Sequence, residues 1–457
     1  MQHQRPAGGA AAVVEPGDAG WDQARAAWNL TVDQRPAAVA RPVDADGLLA
    51  ALSHARVREL RVAAQGTGHG AAPLGPLGGT LLVSTGLLRD IAIDPAARRA
   101  RVGAGVTWAE VASAAAAHGL AGLAGSSPDV GVVGYTLGGG LGWLARKHGL
   151  ACTRVLAVEI ATAEQGLLRC DRESHGDLFW AVRGGGGSFG VVTALEFELL
   201  PIATVQAGVL LWPMERAAEV LAAWSEWTRE APDEVTSVGR LLRLPPLPEV
   251  PEPLRGGRFA AVEIAHLGEP GAGDALLRPL RALAPAIDTV SVIPASQLGR
   301  LHMDPDHPVP VVADGMLLDG FGRDAARSLV DAAGAASGSG LLTVEVRHLG
   351  GAVASAAHGH GATARIRAPF AEFAAGIAPA ADAAAAAESD LDAVRDALAC
   401  HLHADAYLNF CERPVSPGRL FEPEVLRRLG SVKAAYDPAD VFRSNHPIPP
   451  LADAPAD

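Results

Sequence analysis

The sequence GSSPDVGVVGYTLGGGLGWLARKHG, residues 125–149, is dominated by glycine. Glycine permits positive φ angles and lets the backbone approach a neighbouring group closely. Regular helices and strands do not explain this density, because glycine weakens both. Successive backbone N–H groups in the TLGGGLG part would instead form a nest around a pyrophosphate. The segment therefore predicts a binding surface formed largely by the main chain.

Two further glycine-rich loops lie on either side of this segment. RVAAQGTGHG, residues 61–70, leaves His69 between glycines, and DLFWAVRGGGGSFGVVT, residues 177–193, separates a short helical pattern from a strand pattern. Taken alone, the first loop reads as a turn with a solvated histidine. The three loops together favour a second interpretation, in which they surround one large ligand.

A nicotinamide-type Rossmann site does not fit these loops. Such a site needs a strand, GxGxxG and a helix in one unit of about thirty residues, followed by an acidic residue after the next strand. In GGGLGW, Trp143 stands where the last glycine belongs, and Glu159 lies within a strand pattern. The phosphate-binding motif GxxxxGKS/T does not occur in the sequence.

Length and charge restrict the kind of ligand. The chain has 457 residues and a formal net charge of −13. At about 100–200 residues per domain, this length predicts two or three domains, between which a large cofactor can be enclosed. Nucleic acid and anionic membrane surfaces require clustered positive charge, so neither is expected as a partner. We expect a small-molecule substrate, while the oligomeric state stays unknown.

The sequence also suggests a compartment. No run of about 18 residues combines strong hydrophobicity with freedom from charge, so no membrane-spanning helix is expected. The N-terminal Ala-Val run is followed at once by Glu15 and Asp18, which argues against an export signal. The four cysteines form no CxxC pair and no metal-ligand spacing, which indicates reduced structural thiols. Together with an arginine- and alanine-rich composition, these features predict a bacterial cytoplasmic protein.

Short helical and strand patterns alternate between residues 35 and 105. DADGLLAALSHARV has helical spacing, whereas ELRVAAQG, TLLVST and RRARVGAG predict strands. Thr107 and Glu110 then form a capping-box pattern at the start of a helix over WAEVASAAAAHG. These residues predict a mixed layer of helices and strands.

The composition of the sequence changes after Pro201, where glycine clusters become rare. Val220, Leu221, Trp224 and Trp227 form one stripe of a predicted helix. RFAAVEIAHLG and LLTVEVRHLGG predict strands, and DLDAVRDALAC predicts another helix. The sequence thus predicts an α+β fold in which an antiparallel sheet carries helices on one face.

These segments resemble the flavin-dependent oxidoreductases of the vanillyl-alcohol oxidase superfamily, specifically the berberine-bridge-enzyme-like branch. The resemblance rests on the His69 loop, the glycine segment 125–149, DLFWAVRGGGGSFGVVT, and the C-terminal YLNF…VKAAYDPADVFRSNHPIPP. It implies a PCMH-type FAD-binding domain formed by residues 20–205 together with a berberine-bridge-like segment, residues 400–450. Residues 206–399 would form the substrate domain.

The resemblance implies that His69 is bonded to the 8α-methyl carbon of FAD. A neutral imidazole is a suitable nucleophile for that carbon. Relatives with a second covalent link carry a cysteine where this chain has Ser127, and a serine hydroxyl is a poor nucleophile without an activating base. We therefore expect monocovalent FAD. The candidate cofactor-binding residues are Gly66, Thr67, Gly68, His69, Gly70, Gly125, Ser126, Ser127, Val130, Gly131, Gly134, Gly138, Gly140, Gly142, Gly149, Gly190, Val191, Asn409 and Asn445.

The substrate side rests on two segments. AYLNF resembles a strand whose tyrosine points towards the flavin, so Tyr407 is the candidate catalytic residue and Asn409 a flavin-orienting amide; the alternative is a packed tyrosine. In TVEVRHLGG, alternation places Val344, Val346 and His348 on one face and Glu345 with Arg347 on the other, and either face would serve the cavity. His358 and His360 in AHGHG lack further metal ligands, so no metal is expected. The candidate substrate residues are Glu345, Arg347, His348 and His360.

The resemblance implies an FAD-dependent oxidase. It would take a hydride from an alcohol or amine-like C–H centre of a small molecule, such as a secondary metabolite or a sugar, and pass the electrons to O2. Relatives that act as dehydrogenases carry a leucine plug at the position of Val130, and the smaller valine favours oxygen access. The alternatives are a dehydrogenase with another acceptor and a non-catalytic, antibiotic-sequestering protein of the same fold.

Overall fold

The computed structural model describes residues 12–248 and 250–451. Residues 1–11, on which part of the expectation about export rests, lie outside the described residues. In chain order the described strands are β1 (Ala12–Val14), β2 (Ala38–Arg41), β3 (Arg61–Gln65), β4 (Thr80–Ser84), β5 (Ile91–Asp94), β6 (Arg99–Gly103), β7 (Val155–Thr162), β8 (Gly166–Cys170), β9 (Val191–Glu198), β10 (Thr204–Pro213), β11 (Val235–Arg243), β12 (Arg258–His266), β13 (Ile287–Asp288), β14 (Ser291–Pro294), β15 (Val311–Leu318), β16 (Thr343–His348), β17 (Phe370–Ile377) and β18 (Phe442–Arg443).

Helices connect and cover these strands. The described α-helices are α1 (Trp21–Arg25), α2 (Ala45–Val57), α3 (Trp108–Ala116), α4 (Val132–Leu137), α5 (Ala145–His148), α6 (Gly176–Val182), α7 (Ala217–Thr228), α8 (Pro270–Arg281), α9 (Arg323–Ala333), α10 (Ala381–Ala397), α11 (Pro417–Leu420) and α12 (Pro423–Tyr436). Among them, none offers a run of apolar residues long enough to span a lipid bilayer.

The first sheet fixes the start of the His69 loop. Its strands lie in the order β1-β2-β4-β3-β18, and β2, β4, β3 and β18 are parallel. Helix α2 covers this sheet with Leu48 and Ala51. Asp44 begins the helix by accepting a 2.8 Å hydrogen bond from the N–H of Gly47, which satisfies an N-terminal donor. Because β3 leads directly into QGTGHG, the sheet determines where His69 can lie.

The second sheet carries the other two glycine-rich loops. Its strands lie in the order β5-β6-β9-β7-β8 and are antiparallel. The predicted capping box is present, since the N–H of Thr107 donates to Glu110 at 2.9 Å, and Trp108 and Val111 of α3 enter the core. The glycine segment that follows contains only the short helices α4 and α5. The prediction that regular structure contributes little to this segment agrees with the fold.

An antiparallel sheet of eight strands is formed by residues 204–377 in the order β13-β10-β12-β11-β16-β17-β15, with β14 paired to β10. Helices α7, α9 and α10 pack on one face, where Trp224, Leu329 and Leu391 share a core with Val344 and Val346 of β16. The opposite face of β16 meets the glycine segment. Together with the two smaller sheets, this layer confirms the predicted α+β fold.

The C-terminal segment returns to the first two sheets. Phe442 of β18 pairs with Val62 of β3. Lys433 of α12 is fully buried in an ion pair with Asp437 and donates a 2.8 Å hydrogen bond to the carbonyl of Ser188 in the GGGGSFG loop. A buried ammonium group requires such partners, because an unpaired charge is costly to bury. The end of the chain is therefore anchored beside two of the three glycine-rich loops.

The prediction of a strand over AYLNF is wrong. Tyr407 has extended backbone angles, but Leu408–Phe410 form a 3-10 turn in which the N–H of Phe410 donates to the carbonyl of Tyr407 at 2.9 Å. The side chain of Asn409 supports this turn, since its Nδ2 donates to the carbonyl of Tyr135 at 2.9 Å. A tertiary hydrogen bond has overridden a short β-like pattern, which is a common failure of local sequence patterns.

Candidate active site

A cavity lies between the glycine-rich loops, the free face of β16 and the Tyr407 turn. Most of the candidate cofactor and substrate residues line it. The cavity-lining candidates are Gly66, Thr67, Gly68, His69, Gly70, Gly125, Ser126, Ser127, Val130, Gly131, Gly134, Gly138, Gly190, Glu345, Arg347, Tyr407, Asn409 and Asn445. Residues that sequence reasoning selected in five separate segments thus lie around one cavity.

Four candidate cofactor residues lie outside the cavity lining. A Cβ at Gly140 would approach Tyr135 and Ala151 to 2.6 Å, and one at Gly142 would approach the carbonyl of Ala124 to 1.8 Å. These two glycines allow close packing behind the cavity wall. Gly149 ends helix α5 with a φ of +82°, and Val191 is fully buried in the core beneath the first sheet. Gly140, Gly142, Gly149 and Val191 thus do not line the cavity, and their assignment to the cofactor stays a prediction.

His348 and His360 also lie away from the cavity, contrary to expectation. His348 shares its strand face with Val344 and Val346, and its Nε2 lies 2.9 Å from Nη1 of Arg146. Burial, helped by the positive charge of Arg146, lowers the pKa of His348 to about 3. Nδ1 of His360 contacts the carbonyl of its neighbour Gly361 at 2.7 Å. The alternation in β16 was read correctly, but the sequence alone did not show which face meets the cavity.

His69 is held between an aromatic ring and a carboxylate. Its ring stacks on Trp28 with a centroid separation of 4.1 Å, and its Nε2 lies 3.2 Å from Oδ1 of Asp129. The indole N–H of Trp28 donates to the same carboxylate, and the hydroxyl of Ser127 donates to it at 3.1 Å. Burial opposes ionisation of Asp129, but His69, Trp28 and Ser127 together keep the pKa of Asp129 below its usual value. The imidazole therefore has a fixed plane and an anionic neighbour.

Asp129 and Trp28 were not among the candidate residues. Asp129 belongs to the quoted GSSPDVG segment, so its position two residues after Ser127 was a usable signal. Trp28 offers no such signal, because a single tryptophan near residue 30 is ordinary sequence until the fold brings it to His69. The contact depends on Gly68, where a Cβ would lie 2.8 Å from the backbone of Ala27 and Trp28. Glycine at this position lets the two segments meet.

Tyr407 is a neutral phenol in this environment. Burial raises the pKa of Tyr407 well above that of a free phenol, and the hydrogen bonds from Gly140 and Asn409 lower it only in part. Nδ2 of Asn409 lies 3.4 Å from the hydroxyl of Tyr407. Asn409 thus orients Tyr407 and the 3-10 turn through its amide group. At neutral pH the hydroxyl can donate or accept a hydrogen bond but is not a standing base.

The wall opposite the glycine segment contains a row of buried charges, which we call the charge ladder: Arg240, Glu263, His302, Glu345 and Arg347. Arg240 donates to Glu263 at 2.9 Å, and Nδ1 of His302 contacts the other oxygen of Glu263. Nε2 of His302 lies 2.9 Å from Glu345, and Arg347 lies 2.7 Å from Glu345. Every charge in the ladder thus has a partner of opposite sign, as burial requires.

The ladder holds His302 in its charged form. Burial by itself would lower the pKa of His302, but Glu263 and Glu345 outweigh burial and raise it to about 9. Likewise burial opposes the ionisation of Glu345, while Arg347 and His302 hold the pKa of Glu345 below its usual value. Sequence reasoning found Glu345 and Arg347 but missed Arg240, Glu263 and His302. Their contacts join positions distant in the chain, and no local pattern reports them.

Glu412 places a further carboxyl group at the cavity. It follows the Tyr407 turn, and its backbone N–H donates to Asp314 at 3.3 Å. Burial and the neighbouring charge of Asp314 raise the pKa of Glu412 to about 8. At neutral pH this carboxyl group carries a proton, so it adds little negative charge to the cavity.

Comparison with known proteins agrees with this geometry. The family described as FAD binding domain matches residues 36–171, and the family described as berberine and berberine like matches residues 406–449. (R)-6-hydroxynicotine oxidase of Paenarthrobacter nicotinovorans is 28% identical over 457 aligned residues, which cover 96% of this chain and 96% of that protein. Glucooligosaccharide oxidase of Sarocladium strictum is 30% identical over 216 residues, covering 46% of this chain and 43% of that protein. The crystal structure of 6-hydroxy-D-nicotine oxidase from Arthrobacter nicotinovorans matches with a TM-score of 0.82 at 26% identity, covering 96% of this chain and 98% of that chain.

The fold and the cavity therefore define a flavoprotein with a PCMH-type FAD-binding domain. More particularly, the chain is an FAD-dependent oxidoreductase whose C-terminal segment, residues 406–449, matches the berberine and berberine like family, and two of its relatives are named oxidases. The predicted resemblance, the use of FAD and the class of enzyme are confirmed, while the covalent bond to His69 stays a prediction.

The cavity itself fits FAD. Gly134 lines it, and a Cβ built there meets no atom within 4 Å, so the main chain at this point is open to a ligand. Gly131 and Thr67 line the same cavity, and a Cβ at Gly131 would lie 3.6 Å from the side chain of Thr67. Tyr135 also lines the cavity.

Proposed function

We propose that this protein is an oxidase that carries FAD through a single covalent bond to His69 and oxidises an alcohol or amine-like C–H centre of a small molecule. The observation that carries the proposal is the position of His69. It lies in the cavity with its ring fixed by Trp28 and Asp129, while Tyr407 lines the same cavity from the C-terminal segment. FAD supplies the hydride acceptor and the means of passing two electrons to O2.

Asp129 supports the proposed attachment at His69. A nucleophilic imidazole must be neutral, and the proton it carries must be given up as the new bond forms. The carboxylate of Asp129, 3.2 Å from Nε2, can accept a hydrogen bond from that nitrogen and stabilise the positive charge that develops on the ring. It can also hold the ring in one tautomer. These roles follow the logic of a nucleophile with an orienting carboxylate.

Ser127 supports a single covalent bond. Its hydroxyl donates to Asp129 at 3.1 Å, so its proton is directed at the carboxylate that also faces His69. This hydrogen bond therefore helps to position the Asp129 carboxylate. A second bond to the flavin from this position would require a stronger nucleophile than serine.

Tyr407 is proposed to act through hydrogen bonds, as a member of a relay for the substrate proton. Its raised pKa disfavours a free phenolate, and Asn409 and the backbone of Gly140 hold its hydroxyl in one direction. The hydroxyl would release its own proton to solvent in the cavity as it takes the proton of a substrate O–H or N–H group. The packed alternative for Tyr407 explains its burial but not its place at the cavity.

O2 is the proposed electron acceptor. Val130 lines the cavity next to the Asp129 and Ser127 pair, and its smaller side chain leaves more room than leucine would. Two related proteins are named (R)-6-hydroxynicotine oxidase and glucooligosaccharide oxidase, after an amine and a sugar.

The proposed substrates are therefore small alcohols and amines, including secondary metabolites and sugars.

Anaerobic mixing of the yellow holoprotein with a panel of alcohols, amines and sugars tests this function. The expected result is bleaching of the flavin by at least one compound, followed by rapid recovery and hydrogen peroxide formation when air is admitted. Recovery only with an artificial acceptor such as dichlorophenolindophenol would identify a dehydrogenase. Tight binding of a compound without any bleaching would contradict catalysis and favour sequestration.

A further inference from the structure

The charge ladder ends in a group with unused hydrogen-bonding capacity. Nε of Arg347 donates to Glu345 at 2.7 Å, and Nη2 donates to Ser126 at 2.9 Å. Nη1 donates to no group in the part of the chain that the structure describes. Arg347 lines the cavity, with its side chain partly exposed there. Two N–H bonds of a fixed guanidinium group are thus available to a molecule in the cavity.

The positive and negative charges of the ladder do not cancel. Arg240, His302 and Arg347 are positive, whereas Glu263 and Glu345 are negative. Asp304, 3.6 Å from Nη2 of Arg240, lies at the opposite end of the ladder, and burial raises the pKa of Asp304, which favours its neutral form. Arg240, His302, Glu345 and Arg347 all line the cavity, so the ladder gives this wall an excess of positive charge. An ammonium group of a substrate would be repelled there, and an oxygen acceptor would be attracted.

The guanidinium plane is also held in place, which a recognition site requires. Its carbon lies 5.1 Å from the centroid of the Phe410 ring, a cation–π arrangement. Tyr407 packs on the same ring with a centroid separation of 5.3 Å. Phe410 therefore separates Arg347 from Tyr407, and both residues can face one bound molecule across it. Glu345, with three contacts to Arg347 and His302, fixes the other edge of the guanidinium.

We propose that Arg347 is a specificity-determining residue that binds an anionic or strongly electron-rich oxygen of the substrate, such as a carboxylate, a phenolate or a ketone. The substrate would carry this oxygen roughly one aromatic ring away from the C–H centre that reacts near Tyr407. The location of the reacting centre rests on the proposed oxidase function, while the binding of the oxygen at Arg347 does not. Arg347 lies on the face of β16 that lines the cavity. Ser126 and Glu345 position its guanidinium group.

Binding of three probes of one shape to the oxidised holoprotein tests the proposal. The probes are benzoate, benzamide and benzylammonium, and the readouts are the flavin absorption spectrum and tryptophan fluorescence. We expect saturable binding of benzoate, weaker binding of benzamide, and benzylammonium binding at least about tenfold more weakly than benzoate. Equal or tighter binding of benzylammonium would overturn the proposal, as would the absence of any saturable effect of benzoate.

Variants locate the site. Arg347→Met should weaken benzoate binding by about tenfold or more while changing benzamide binding by less than about threefold. Arg347→Lys keeps the charge but lacks the planar fork, so an intermediate loss is expected, and this variant keeps the test valid if the methionine variant fails to fold. Unchanged benzoate binding in Arg347→Lys and Arg347→Met would overturn the assignment. These measurements need no turnover, so a failed search for an oxidised substrate would contradict the proposed function and leave the binding result standing.

Discussion

Nε2 of His69 lies 3.2 Å from Oδ1 of Asp129, and the same carboxylate accepts hydrogen bonds from Trp28 and Ser127. One aspartate thus joins the histidine loop that follows β3 to the glycine segment that follows α3. The histidine ring cannot rotate freely, because Trp28 stacks on its face. The orientation of the His69 ring is therefore set by side chains of the protein itself.

Replacing His69 by alanine should release the flavin from the polypeptide. Alanine has no nucleophilic atom at this position, so the proposed bond cannot form. Precipitation with acid should leave yellow colour on the unmodified protein and free FAD in the supernatant of His69→Ala. Colour that stays on the precipitated variant would contradict the assignment.

Asp129→Asn should slow covalent attachment by at least about tenfold, because the amide cannot accept a proton or compensate a charged imidazole as well as a carboxylate does. The measurement is the rate at which added FAD becomes acid-stable on purified apoprotein. Ser127→Ala serves as the matched control, since it removes one hydrogen bond to Asp129 without changing the charge beside His69. Equal attachment rates in Asp129→Asn and the unmodified protein would remove Asp129 from the attachment.

Tyr407→Phe should slow anaerobic flavin reduction by the true substrate by about 10²–10⁴-fold, the usual range for a positioned acid–base group. Flavin content should change little, because the substitution leaves His69 and the glycine loops untouched. Tyr436→Phe is the matched control, since the Tyr436 hydroxyl bonds to Asp177 at 3.0 Å and does not line the cavity. A normal reduction rate in Tyr407→Phe would assign the proton relay to another residue.

Val130→Leu should slow reoxidation of the reduced flavin by O2. The added methylene group fills space beside the cavity, and close packing leaves few other routes for a diatomic molecule. Stopped-flow mixing of the reduced protein with aerated buffer measures the rate. Val133→Leu, at another position of the cavity wall, is the control for a general loss of volume. Similar rates in the Val130 variant and the unmodified protein would exclude a gate at this position.

Glu412→Gln should stabilise the protein more at pH 8.5 than at pH 5. The folded-state pKa of Glu412 is raised to about 8, mainly by burial, from a reference value of 4.5. Between these values the folded chain holds a proton that the unfolded chain has lost, so the stability contributed by this group falls as pH rises. Glutamine mimics the protonated carboxyl group and removes this dependence. The melting temperature of Glu412→Gln relative to the unmodified protein should be higher at pH 8.5 than at pH 5, whereas the exposed control Glu424→Gln should show the same difference from the unmodified protein at both pH values.

The sequence predicted those parts of the fold that depend on neighbours along the chain. The capping box of Thr107 and Glu110, the helix α2 and the alternation within β16 all arise from residues a few positions apart. The glycine-rich loops were recognised as binding loops because a main-chain nest needs glycine, and this requirement does not depend on residues elsewhere in the chain. The resemblance to a known family then placed His69 and Tyr407 in one site before the structure did.

Other parts of the site required the three-dimensional fold. The Tyr407 turn looked like a strand because its stabilising partner, the carbonyl of Tyr135, is far away in the sequence. His348 was an equal candidate with Arg347 until the sheet showed which face carries the helices. The pairing of His302 with Glu263 and Glu345 has no local signature at all. Patterns of period two report alternation, but they do not report which side faces a ligand.

The parallel pairing of β18 with β3 has a consequence for how the protein matures in the cell. Residues near the C-terminal end, including Tyr407 and Asn445, complete a cavity whose first wall is made from residues near position 66. During synthesis, the His69 loop emerges long before Tyr407 and Asn445. A ribosome-bound chain therefore lacks the closed site, and we expect firm retention of the flavin only once the C-terminal segment has folded. Chains truncated before β18 should therefore retain less flavin than the full chain.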